Sequence, residues 1–256
     1  MRRWHRRRRD TQRNGNFTDH FKELRRRLIV VAVCFVLATL AAFMFATPIF
    51  RYLTRGLPPL VQLSPGEIFG VYLRLSALVG ALITIPVALW QAWAFAKPGL
   101  LPAERRMVYF YLPSAVLLFG AGASFGFFVL YPSILHFMIT FSHRAGVEVM
   151  LSASQTITFM INLVFPTALI FELPAVASFL TEIHLITPAL LKKGRKIAIL
   201  AAFVVAGLLT PPDVLSQTLV ALPFIALYEG AIALSRWTYR RVERRNALAM
   251  QPQASS

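Results

Sequence analysis

The stretch Trp90-Gln91-Ala92-Trp93-Ala94-Phe95-Ala96-Lys97-Pro98-Gly99-Leu100-Leu101-Pro102-Ala103-Glu104-Arg105-Arg106 lies between two long apolar runs. Pro98, Gly99 and Pro102 keep the helix before them from running into the one after, so the stretch reads as a short loop at a membrane surface. Glu104 is its conspicuous carboxylate, followed at once by Arg105 and Arg106. Trp90, Trp93 and Phe95 form an aromatic shelf one or two turns earlier. A carboxylate beside ring faces suits a guanidinium, which it takes bidentately while the ring adds cation–π attraction. The competing reading pairs Glu104 with its own neighbouring arginines and leaves the tryptophans as an interfacial belt.

Working outward, the composition puts the whole chain in a membrane. It has 256 residues, 57% of them hydrophobic, and a positive mean hydropathy, more apolar than a soluble core of this size requires. The expected class is an all-α integral membrane protein. The net charge of +16 does not point to nucleic acid, because the basic residues sit between and outside the apolar runs, where membrane orientation accounts for them. Cys34 is the single cysteine and lies inside an apolar run. It offers no disulfide, no metal-ligand spacing and no cofactor site, and reads as a small core residue. No cleavable signal peptide is expected, since the basic start leads into a run of spanning length without a small-residue cleavage pattern.

In chain order, residues 1–16 form an arginine-rich extension, expected to be largely disordered. Phe17, Phe21, Leu24 and Leu28 recur at helical spacing, which predicts a short amphipathic helix on the membrane leading into a first span over 28–46. An extramembrane cap follows over 47–68, then a second span over 69–95 with Arg74 snorkelling outward near its outer end. The third span, 107–131, carries a small-residue face at Gly120, Gly122, Ala123, Ser124 and Gly126, suited to close helix packing. The fourth, 155–180, is interrupted by Pro166 and Pro174 and holds Glu172 near its middle. A basic loop over 182–196 precedes a thirteen-residue fifth span over 197–209, a turn at Thr210, Pro211, Pro212 and Asp213, and a sixth span over 214–234. The last two helices are read as short. The membrane domain is bounded at 17–237, with a basic, polar tail over 238–256.

Charge then orients the chain. Of the 27 lysines and arginines, eleven lie in 1–27, three in 97–106, four in 192–196 and five in 236–245. Placing these segments inside gives six transmembrane helices with both termini cytoplasmic. Glu23 and Glu104 then share the cytoplasmic face, and Asp213 lies outside.

None of the five histidines sits in a His-Glu-x-x-His setting, and there is no Gly-x-Ser-x-Gly, Walker or dinucleotide motif; an enzyme is the weakest class. Two classes stay open on the residues alone. One is a proton- or ion-coupled carrier of a small solute, with Glu172 between two prolines as the coupling carboxylate. The other is a binding or conducting protein built on its cytoplasmic carboxylates.

Five motifs in order bear on the choice. They are His20-Phe21-Lys22-Glu23-Leu24-Arg25-Arg26-Arg27; Ser64-Pro65-Gly66-Glu67-Ile68-Phe69; Trp93-Ala94-Phe95-Ala96-Lys97-Pro98-Gly99-Leu100 with Glu104-Arg105-Arg106; Phe171-Glu172-Leu173-Pro174; and Leu209-Thr210-Pro211-Pro212-Asp213-Val214-Leu215-Ser216-Gln217. Together they resemble the TatC family, core subunits of the twin-arginine protein translocase of the bacterial inner membrane. The resemblance implies a receptor for the paired arginines of signal peptides on folded cargo. It also implies assembly with single-span TatA and TatB type subunits into an oligomeric receptor complex in the lipid bilayer, driven by the proton-motive force. By position, Glu104 corresponds to the principal arginine-binding carboxylate, with Glu23 a second and Phe95 beside them. Arg25 matches the basic position of the N-terminal motif, Glu172 the buried polar position of the fourth span, and Asp213 and Gln217, with Pro211, the outer end of the last hairpin. The sequence departs from the family at residues 1–16 and at Gly66, where a polar residue is more usual.

Overall fold

The computed structural model describes the backbone of residues 4–97, 108–210 and 213–250, and the side chains of 21–95, 97, 111–210 and 213–244. Its helices are α1 (Trp4–Met44), α2 (Ala46–Leu53), α3 (Glu67–Ala96), α4 (Val108–Phe125), α5 (Tyr131–Arg144), α6 (Ala153–Ile170), α7 (Leu173–Glu182), α8 (Pro188–Leu209) and α9 (Val214–Met250). A π turn at Gly126–Leu130 joins α4 to α5. Two short strands, β1 (Leu60–Val61) and β2 (Leu151–Ser152), pair in parallel.

This is an all-α membrane protein. Among the described residues, five stretches are long and apolar enough to cross a bilayer: Phe21–Met44, Glu67–Phe95, Tyr111–Arg144, Ala153–Glu182 and Val214–Arg244. α8 is excluded by Lys192, Lys193, Arg195 and Lys196 in its first turns. Its apolar remainder, Ile197–Leu209, reaches only about 20 Å against roughly 30 Å of hydrocarbon.

Small residues and interhelical polar bonds set how the helices pair. α1 runs antiparallel to α3: Arg27 meets Gln91, Cys34 meets Thr84, and Gly80 lies against Thr39 so closely that a Cβ there would stand 2.9 Å from the Thr39 backbone nitrogen. On α4 and the π turn, Gly122 and Gly126 press on the backbone of α6 at Ala168 and Val164, the expected use of the small-residue face. Gly120 looks into open space. α8 and α9 form an antiparallel hairpin tied by Gln217, Tyr228 and the Arg195–Glu229 pair. The best-buried core, including Leu75, Leu130, Ile134, Ile157, Leu163 and Phe224, lies where α3, α5, α6 and α9 meet. α1 turns most of its apolar surface outward, toward lipid.

Several expectations need correction. The amphipathic helix runs into the first span as expected, with no proline or glycine between Asn16 and Met44 to break its hydrogen bonding, but the extension expected to be largely disordered is helical in its backbone from Trp4. The third span does not end near Tyr131. The helix shifts hydrogen-bond register through the π turn just before Pro132 and continues to Arg144, so the missing proline N–H falls at a new helix start. The expected basic loop over 182–196 is largely helical, because Thr187 caps α8 by accepting from the Leu190 N–H (3.3 Å) and Pro188 opens it. Only α8 is short in its apolar run: α9 spans 37 residues and carries Arg236, Arg240 and Arg241 onward as helix. Arg74, exposed as expected, does not simply reach for water; it donates to Ser154 Oγ (2.8 Å) and Thr158 Oγ1 (3.1 Å) on α6.

The cap over 47–68 is ordered by one carboxylate. Glu67 opens α3 and accepts hydrogen bonds from the backbone of Leu63 and Ser64 before it, and from Ser152 Oγ (2.6 Å) and the Ser154 N–H (2.8 Å) across at α6. It clasps the two outer segments where β1 and β2 pair.

Candidate functional site

One end of the bundle gathers the middle of α1 at Glu23–Arg27, the end of α3, the start of α4 and the end of α7. Arg27 donates from Nη1 to Gln91 Oε1 (3.2 Å), bringing α1 onto α3 one turn before Phe95. The Trp93 ring stands on Phe179 of α7 with centroids 3.8 Å apart, and Tyr111 of α4 meets the same ring at 5.9 Å. Tyr111 also donates its hydroxyl to Glu182 Oε2 (3.1 Å). Both flanks of the segment 98–107 therefore share this end with Glu23. Glu104 and Pro211 lie outside the described residues.

Glu23 is not idle. Its Oε1 accepts from Arg27 Nε (3.1 Å) and Nη2, an i,i+4 pair on the helix surface. Glu23 and Arg27 line a pocket of about 570 Å³ with Lys22, Arg26, Val30 and Gln91. Arg25 is exposed and does not line it; two residues on from Glu23, it faces another side of the helix. The aromatic shelf divides: Trp93 is committed to Phe179, whereas Trp90 faces outward. Phe95 is half-buried.

The second candidate lies within the bundle. Pro166 does not break the fourth span; the interruption falls at Phe171–Glu172, between α6 and α7, with Pro174 in the first turn of α7. Glu172 is 7% exposed, and neither of its carboxylate oxygens has a hydrogen-bond partner among the described residues. A buried polar group left without a partner is costly. Beside it, Phe171 and Pro174 face Pro223, Leu227, Gly230 and Leu234 of α9 across an apolar groove of about 640 Å³.

The outer hairpin residues have structural tasks. Asp213 Oδ1 accepts from the Ser216 N–H (2.7 Å), capping α9. Gln217 Nε2 donates to Phe203 O (2.8 Å), fastening α9 to α8 where Gly207 leaves room for its amide. The sequence reading missed Arg27, Gln91 and Glu182. The Glu23-to-Arg27 spacing of four was a visible signal; the other two are brought in by tertiary packing.

Fold and site together define a multi-pass helical membrane protein whose candidate functional groups are a charged cluster at one end and, in a helix break, a buried carboxylate without a hydrogen-bond partner among the described residues. The chain belongs to the TatC family: residues 19–223 match the family model for the Sec-independent protein translocase protein TatC. It is 39% identical to the Sec-independent protein translocase protein TatCd of Bacillus subtilis (strain 168), over 90% of this chain and 95% of that one. To the TatC protein of Halalkalibacterium halodurans it is 34% identical over 94% and 96% of the two chains. A crystal structure of a twin-arginine translocase receptor, TatC, superposes with a TM-score of 0.77 at 35% identity, covering 86% of this chain and 99% of that one. The chain is accordingly a transport component and not an enzyme.

Proposed function

We propose that this chain is the receptor and core subunit of the twin-arginine translocase, which exports folded proteins across the membrane. Family membership displaces the solute-carrier reading and leaves Glu172 with a different task. In the proposed topology α8 is a sixth, short crossing and both termini are cytoplasmic, in keeping with the distribution of lysine and arginine. The proton-motive force drives the export.

Recognition rests on Glu104 and Glu23 gripping two adjacent guanidinium groups, with Phe95 alongside and Arg25 on the neighbouring surface. The observation that supports it is the shared end of the bundle: the Arg27–Gln91 bond and the Trp93–Phe179–Tyr111 contacts bring Glu23 and both flanks of the Glu104 segment together. Binding asks Glu23 to exchange Arg27 for the ligand. The Glu23–Arg27 pair is itself made of two charge-assisted guanidinium bonds, so exchange at Glu23 alone is close to balanced and the gain comes at the second carboxylate, Glu104, where each added charge-assisted hydrogen bond contributes about 1.5 to 3 kcal/mol. Lysine lacks the planar fork and substitutes poorly.

Glu172 serves assembly. A single-span TatA or TatB type subunit lays its helix in the groove along Pro223, Leu227, Gly230 and Leu234, which Phe171 and Pro174 border on either side of Glu172, and docking turns the carboxylate, enclosed in this structure, toward a polar side chain of that helix. The alternating four- and three-residue spacing of that face suits a helical partner.

The test is site-specific photo-cross-linking of a twin-arginine signal peptide to membranes holding the chain with its single-span partners. Glu104→Ala abolishes the cross-link and Glu23→Ala weakens it, with the chain present at normal level. Undiminished cross-linking in the double variant overturns the recognition reading.

A further inference from the structure

The last turn of α7 carries a buried carboxylate that recognition does not use directly. Glu182 is 7% exposed and accepts the Tyr111 hydroxyl of α4 at Oε2 (3.1 Å), with Thr238 of α9 beside the same hydroxyl. Phe179 stands three residues earlier, on the same helix face. Its ring meets Trp93 of α3 with centroids 3.8 Å apart and Tyr111 at 5.9 Å. Trp93 and Tyr111 are eighteen positions apart, yet one ring touches both. The turn that holds them is itself fixed. Thr181 shares a hydrogen bond of 2.7 Å with Ser235 of α9, and the hydroxyls of Ser178 and Thr181 bond back to carbonyls of α7. Gln91, two residues before Trp93, holds Arg27, so this turn relates the Glu23 stretch of α1 to the start of α4 by way of α3.

We propose, resting on the reading of Glu104 and Glu23 as the arginine-binding pair, that Phe179 and Glu182 are positioning residues for signal-peptide recognition. They hold the end of α3 and the start of α4 at one spacing. Glu182, being buried, acts through Tyr111 and not on the peptide. A site whose supports are set before the ligand arrives loses less freedom on binding than one that must order them. Ring contacts alone let Tyr111 slide on Phe179, since stacking is broad in geometry; the directional bond to Glu182 fixes its place.

The experiment titrates a synthetic twin-arginine signal peptide bearing a photoreactive residue against membranes holding the full chain with its single-span partners. The half-saturating concentration and the maximum of cross-linking are read separately. Loss of folded receptor lowers the maximum, whereas loss of positioning raises the half-saturating concentration. Tyr111→Phe keeps the ring on Phe179 and raises that concentration about fivefold, the size of one hydrogen bond's net contribution, with the maximum unchanged. Glu182→Ala raises it at least as far, and Glu182→Gln, which keeps an acceptor oxygen, restores most of the loss. Adding Tyr111→Phe to Glu182→Ala changes nothing further. Tyr228→Phe is the matched control: it removes the same hydroxyl from a bond to Leu191 O (2.8 Å) between α8 and α9 and leaves both quantities at wild-type values. The proposal is overturned if Tyr111→Phe and Glu182→Ala leave the half-saturating concentration unchanged while Glu104→Ala abolishes cross-linking, if they lower only the maximum, or if their effects add. Normal cross-linking in Glu104→Ala sinks the recognition reading itself, and the positioning role with it.

Discussion

Gly80 tests whether the close crossing of α1 and α3 positions the site. A methyl group at Gly80 would stand 2.9 Å from the Thr39 nitrogen and 3.0 Å from its Cα. Ordinary contact begins near 3.4 Å, so Gly80→Ala forces the two backbones apart by about 0.5 Å, and backbone cannot swing aside as a flexible side chain can. Carried rigidly along α1, that shift lengthens the Arg27–Gln91 bond from its 3.2 Å to about 3.7 Å, beyond hydrogen-bond range. Overpacking costs about 1 to 3 kcal/mol, and the helix preference of alanine over glycine returns up to about 1 kcal/mol. With the full return, the expected net loss is about 0 to 2 kcal/mol. The assay is reversible unfolding of the chain in mixed micelles by sodium dodecyl sulfate, followed by tryptophan fluorescence. Gly120→Ala is the internal control, because a Cβ there meets nothing; it should leave the midpoint unchanged or raise it. If both alanine variants unfold alike, the crossing at Thr39 does not set the α1–α3 spacing and the reasoning fails.

The same unfolding assay checks the hairpin. Asp213→Ala removes the α9 cap and should cost about 1 kcal/mol, with Asp213→Asn recovering most of it. Gln217→Ala loses the bond to Phe203 O and should cost about 0.5 to 1.5 kcal/mol, whereas Gly207→Ala presses only on the end of the Gln217 side chain and should be milder. Glu172→Met replaces an orphaned buried carboxylate with an apolar chain and should stabilise the isolated protein by about 1 to 3 kcal/mol while abolishing co-purification of the single-span subunits. Glu172→Gln should keep export if hydrogen bonding is its task; loss of export in Glu172→Gln would revive proton carriage.

Much of the fold was legible because membrane insertion imposes a rule that a linear sequence can state. Every backbone polar group in hydrocarbon must be satisfied within its own helix, so apolar length predicts crossings, and the prolines and basic runs predict where they stop. What misled were boundaries at which helix formation outlasts apolarity. The basic turns of α8 and the arginine-rich end of α9 are good helix formers outside the bilayer, and a register shift through the π turn at Gly126–Leu130 carries the helix past Pro132. For the site, the motifs named Glu23 and Glu172, but only packing revealed their states: one carboxylate held by Arg27, the other buried with no partner among the described residues.

By itself, then, the chain determined an all-α membrane protein and the identity of the side chains that bear its charge, since hydropathy, turn residues and charge distribution are properties of local sequence. Only the tertiary structure decided which charges meet. Gln91 reaches Arg27 across an antiparallel pair whose spacing depends on a glycine, and Glu182 finds Tyr111 through a bundle end built from four helices. Such contacts join residues tens of positions apart at distances of a few ångströms, and no periodicity along one helix encodes them.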